Sequence, residues 1–167
     1  MGLLPLILGV LGYSILLSSL ALTIMVRHQT SDQKRSEAYI KVAKYLGENT
    51  TLFKKVNQLV KLEGATKLMA FVFFFGGWIV YSINSFLIDS LDEGVRVIIL
   101  WASIALFVIL TIVQMMLEFR HKKLLAFPLS NISLVENTAG EKRWILSKIL
   151  LMIGTVILTI WLQLVAQ

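Results

Sequence analysis

Polar positions are nearly excluded from four stretches of the chain, and that exclusion predicts its main elements. Residues 3–26, 68–88, 95–117 and 145–165 contain no Asp, Glu, Lys, Arg or His, except Arg96 and Lys148 within the first turn of the third and fourth. About 20 apolar residues, rising ~1.5 Å each, cross a hydrocarbon core of about 30 Å. The expectation is an all-α polytopic membrane protein with four transmembrane helices. One membrane domain covers residues 1–167, and its longer connections are 27–67 and 118–144. With 57% hydrophobic residues, four runs that are apolar on every face exceed what a soluble core of this size would bury.

The connection over 27–67 has a helical period of its own. Thr30 and Gln33 are spaced as a capping box. Tyr39, Val42 and Leu46 then fall on one helical face together with Ala43. Gly47 closes this helix and Thr50 is placed to cap the next, where Leu52, Val56 and Leu59 rebuild an apolar stripe before Gly64. The pattern predicts a short amphipathic helical hairpin beside the membrane. Three readings fit it: an extension of the spans packed on itself, a surface lying on anionic lipid, or a docking face for a soluble protein. The connection over 118–144 is less regular. Phe127-Pro128 should break the third helix, residues 131–135 read as a brief extended piece, and Asn137 to Gly140 reads as a turn.

Charge orients these elements. Of the 16 lysines and arginines, only Arg96 lies near the short hairpin between the second and third spans; the rest border the two longer connections. Basic connections stay in the cytoplasm, so both termini are expected on the extracytoplasmic side. The net charge of +6 is thereby explained by orientation and anionic lipid, with no nucleic-acid partner. In the outer hairpin, Asp89 or Ser90 is expected to cap the third helix, while Asp92 and Glu93 favour the positive end of its dipole. One short turn supplies too few oxygens for a calcium cage. The first apolar segment lacks a positive leading region and is followed directly by Arg27, which favours a retained helix over a cleaved signal peptide.

The sequence carries little that resembles catalytic chemistry. With zero cysteines there is no disulfide, thiolate nucleophile or Cys-ligated metal. His28, Asp32 and Ser36 share a helical face, but the carboxylate falls between base and nucleophile, the wrong order for a hydrolase. Glu118 and His121 have the Glu-x-x-His spacing of di-iron bundles. Such centres need a second pair and further carboxylates, and here Lys122 and Lys123 oppose a cation. The spans hold no carboxylate or histidine at depth, which argues against ion-coupled transport and intramembrane proteolysis. No catalytic residue, cofactor or metal site is therefore expected.

What remains is packing and docking. Ser14 and Ser18 form a small-x-x-x-small pair, and Gly76, Gly77 and Gly154 permit close backbone approach. Trp101, Trp144 and Trp161 lie towards the ends of their spans, where indoles anchor at the interface. The expectation is a non-enzymatic, multi-pass protein of a bacterial inner membrane. It would be a homo-oligomeric membrane subunit, anchor or sensor in the lipid bilayer, docking a soluble cytoplasmic protein through Tyr39, Val42, Leu46, Leu52, Val56 and Leu59. Small membrane subunits of anti-phage defence systems and immunity proteins against membrane-active toxins are similar in size and topology, an analogy of architecture alone. The alternative is an oligomeric channel or holin-like pore lined by span hydroxyls; a lipid-acting enzyme would show an acid, base or metal set.

Overall fold

The computed structural model describes residues 3–28, 32–88, 91–126 and 138–166. Among them there are five α-helices and no strand: α1 (Leu3–His28), α2 (Asp32–Glu48), α3 (Thr50–Ile83), α4 (Glu93–Ala126) and α5 (Thr138–Ala166). A single π-helical turn, Asn84–Ile88, extends α3. Four helices are long and apolar enough to cross a membrane, and only 17–28% of the most apolar window of each is buried within the chain. The apolar surface left over needs lipid or another chain as its solvent. The chain is a multi-pass membrane protein.

Two antiparallel pairs build the fold, α1 with α5 and α3 with α4, and α5 also touches α4. In the first pair small residues set the register. A Cβ on Gly9 would lie 2.7 Å from the Trp161 indole nitrogen, one on Gly12 2.7 Å from Leu158, and one on Gly154 2.8 Å from Leu16. Those distances are sub-contact, so each glycine lets the opposite side chain seat against its backbone. The Ser19 hydroxyl closes the seam by donating to the Ser147 carbonyl at 2.7 Å, in a buried site. In the second pair, Gly77 lies under Ser103 and Phe74 packs on Phe107 with ring centroids 5.2 Å apart. The Trp78 indole donates to the Thr159 hydroxyl at 3.2 Å, tying α3 to α5. Leu100, Ile104, Tyr81 and Leu162 form the buried centre beside that contact.

Helices α3 and α4 each run for 34 residues, about 51 Å at the helical rise, against a hydrocarbon core of about 30 Å. They therefore project together beyond the spans as a stem, at the end where most basic residues lie. Helix α3 passes Gly64 without interruption, so the segment carrying Leu52, Val56 and Leu59 and the second span are one rod. A glycine costs a helix only about 1 kcal/mol relative to alanine, and the turn around Gly64 is held by Glu63, buried in the stem.

Several expected boundaries shift for local reasons. The N-cap of α3 is Asn49, where Thr50 was expected, and its side-chain amide donates back to the Tyr45 carbonyl at 3.0 Å, closing α2. Asp92 caps α4: its carboxylate accepts the Gly94 N–H at 3.2 Å. Arg96 has a structural partner, donating from Nη1 to the Asn84 carbonyl at 2.7 Å, where α3 passes into the π-helical turn. Helix α5 begins at Thr138, so Thr138 to Gly140, expected as a turn, form its first turn instead. Expectations for Thr30, Asp89, Ser90 and residues 127–137 fall outside the described residues.

Candidate functional site

Where the stem meets the spans, α3, α4 and α5 bring together ionisable side chains that the sequence scatters. Glu63 is 8% exposed, and the His121 ring lies 3.0 Å from its carboxylate. The contact runs through His121 Nδ1 and the Glu63 Oε1 atom. One turn closer to the membrane, Lys67 pairs with Glu118 at 3.1 Å, and the Gln114 amide donates to the same carboxylate oxygen at 2.7 Å. The Glu-x-x-His pair thus splits: each member faces a different residue of α3, and together they lock the antiparallel register. Among the described residues, no group of three His, Cys, Asp or Glu could hold a metal ion.

Lys148 reaches this belt from α5. It is half-buried and forms no hydrogen bond or ion pair among the described residues. Beside it a cleft of about 320 Å³ opens between α3, α4 and α5, floored by Phe71, Phe74, Phe75 and Phe107 and bordered by Lys67 and Lys148.

Two grooves lie further out on the stem. The larger, about 630 Å³, has Leu59 and Leu124 as its floor and Lys55, Arg120 and Lys123 around it. The smaller, about 510 Å³, sits at the α2–α3 elbow and is lined by Val42, Leu46 and Phe53 among others. The expected docking residues are thereby distributed. Val42 and Leu46 line the elbow and Leu59 the basic groove, Leu52 is half-buried, and Val56 is only 6% exposed. The side chain of Tyr39 is outside the described residues, as are those of His28, Asp32 and Ser36.

The expected packing residues also divide. Gly77 and Gly154 lie in close contacts, whereas a Cβ on Gly76 would meet nothing within 4 Å. Ser14 and Ser18 are on the exposed face of α1, their hydroxyls donating to the Val10 and Ser14 carbonyls at 2.7 and 2.8 Å. Gly9, Gly12 and Ser19, which do bring α1 onto α5, were not singled out from the sequence. Their signal was present: Gly9, Gly12, Leu16 and Ser19 recur at intervals of three or four. The tryptophans combine packing with position: Trp161 meets Tyr13 edge-on at 5.9 Å, and the Lys122 ammonium sits 4.8 Å from the Trp144 ring centre.

Compared with models of protein families, with curated proteins and with solved structures, the chain matches none.

Proposed function

We propose that the chain is a non-enzymatic membrane subunit of a bacterial inner membrane whose cytoplasmic stem docks an acidic segment of a soluble protein. The observation that carries this reading is the larger stem groove. Leu59 and Leu124 offer an apolar floor, and Lys55, Arg120 and Lys123 supply cations at its rim. Opposite charge steers encounter, and a buried apolar contact holds the complex. The elbow groove of Val42, Leu46 and Phe53 extends an apolar surface along the same stem. A stem of this length is not needed to cross a bilayer, which supports a role outside it. Self-association through the exposed Ser14–Ser18 face of α1 completes the reading, and a place in anti-phage defence or toxin immunity rests on an analogy of architecture alone.

The channel reading has less support within one chain. The hydroxyls of Thr111, Thr155 and Thr159 all donate to carbonyls of their own helices and are buried.

Crosslinking in cells tests the docking. A photoreactive side chain in place of the exposed Gln58 should capture a soluble acidic protein. The Lys55→Glu, Arg120→Glu, Lys123→Glu triple variant should lose both the crosslink and the biological activity while inserting normally. Unchanged activity in the triple variant, or crosslinks only to lipid, would refute it.

A further inference from the structure

We propose that the cleft between α3, α4 and α5 binds one anionic phospholipid, with its phosphate at Lys148 and Lys67 and an acyl chain along the phenylalanine floor. The inference is independent of the docking reading, because it concerns a different surface and a partner already in the bilayer.

The cleft is amphiphilic in the sense a phospholipid requires. Lys67 and Lys148 stand at the end nearer the stem, and Phe71, Phe74 and Phe75 follow Lys67 along α3 towards the interior of the span. Its volume of about 320 Å³ falls at the lower end of the range for small-molecule sites. The floor opens sideways: Phe71 is 61% exposed and Phe75 43%. In a span, that surface meets lipid chains and is beyond the reach of a soluble protein.

The charge at the mouth selects the headgroup. Three charged side chains meet there: Lys67, Glu118 and Lys148. Lys67 and Gln114 already engage the Glu118 carboxylate, which leaves Lys148 as the cation without a contact partner among the described residues. A half-buried ammonium whose neighbouring carboxylate is already engaged by other groups is costly to the fold. A phosphate diester at headgroup depth removes that cost, and basic pockets between spans recruit anionic lipid for the same reason. A zwitterionic lipid carries its own cation and gains less.

Native mass spectrometry of the full-length chain in mild detergent tests this, with equimolar phosphatidylglycerol and phosphatidylcholine as probes. The expected result is one retained phosphatidylglycerol, favoured about tenfold over phosphatidylcholine, and undisturbed by millimolar inorganic phosphate, because the chain contacts hold the lipid. Lys148→Gln should reduce that retention at least about fivefold, and Lys148→Met likewise, whereas Lys148→Arg should keep it. Removing a cation that makes no contact breaks no ion pair, so these variants should retain parental helicity by circular dichroism. Lys123→Gln, a stem cation away from the cleft, should bind as the parent does. Parental retention in a folded Lys148→Gln or Lys148→Met variant would overturn the proposal. So would an equal loss in Lys123→Gln, which indicates diffuse attraction, or displacement by phosphate, which indicates a soluble anion site.

Discussion

Replacing Glu63 with Leu should cost the fold far more than replacing Glu63 and His121 together. The two side chains are 11% and 24% exposed and meet at 3.0 Å. A hydrogen bond to a charged group contributes about 1.5–3 kcal/mol, and leaving one member of a buried pair unpaired costs up to about 5 kcal/mol. His121 keeps some access to water, so the lower part of that range applies, and about 2 kcal/mol is expected for Glu63→Leu. In the Glu63→Leu, His121→Leu variant no polar group is stranded, and two leucines fill the gap between α3 and α4. Its stability should return to within about 1 kcal/mol of the parent. The assay is unfolding in mixed micelles of rising SDS fraction, followed by helicity. A double-mutant cycle isolates the coupling, for which about 2 kcal/mol is the expected size. Additive single losses, or a Glu63→Leu variant within about 0.5 kcal/mol of the parent, would refute the claim that this pair locks the stem.

Gly12→Leu should force α1 away from α5, because even its Cβ would lie 2.7 Å from Leu158, a side chain only 1% exposed. The expected cost is about 1–3 kcal/mol in the same unfolding assay, and a Gly76→Ala control, whose Cβ meets nothing within 4 Å, should be near neutral. Ser14→Leu with Ser18→Leu should leave the fold intact, since both positions are exposed, yet shift the chain towards monomer in mild detergent; an unchanged oligomer distribution would remove α1 from the interface.

The spans were readable because lipid imposes a one-dimensional rule: length and the absence of charge suffice, whatever the helices pack against. The stem was only half readable. The stripe of Leu52, Val56 and Leu59 announces a helix with something to bury, but periodicity is silent on whether the cover is a partner or the chain itself. In the structure Val56 is buried and Leu59 borders a groove, two fates within one stripe. Gly64 disfavours a continuous helix locally, since glycine costs about 1 kcal/mol relative to alanine. Packing against α4 overrides that local preference. The belt of Glu63, Lys67, Glu118 and His121 was hidden for another reason. Its members are joined across the α3–α4 register, 58 residues apart for Glu63 and His121, and a scan for nearby motifs sees only Glu118 and His121. In the sequence Arg96 is only the exception to the charge asymmetry, yet in the fold it binds Asn84 beyond the end of α3. That contact depends on how two helix ends meet, which no local pattern carries.

Docking in the cytoplasm requires the stem to lie on the inner side, so sidedness is the most direct test of the proposed function. The chain has no cysteine, and single cysteines can be placed without background. Gly47 at the α2 end is exposed with nothing within 4 Å of an added Cβ, and Glu93 at the start of α4 is exposed at the opposite end. A membrane-impermeant maleimide is applied to right-side-out and inverted inner-membrane vesicles. Glu93→Cys should label in right-side-out vesicles and Gly47→Cys only in inverted ones. Labelling of Gly47→Cys in sealed right-side-out vesicles, with Glu93→Cys protected, would contradict the account.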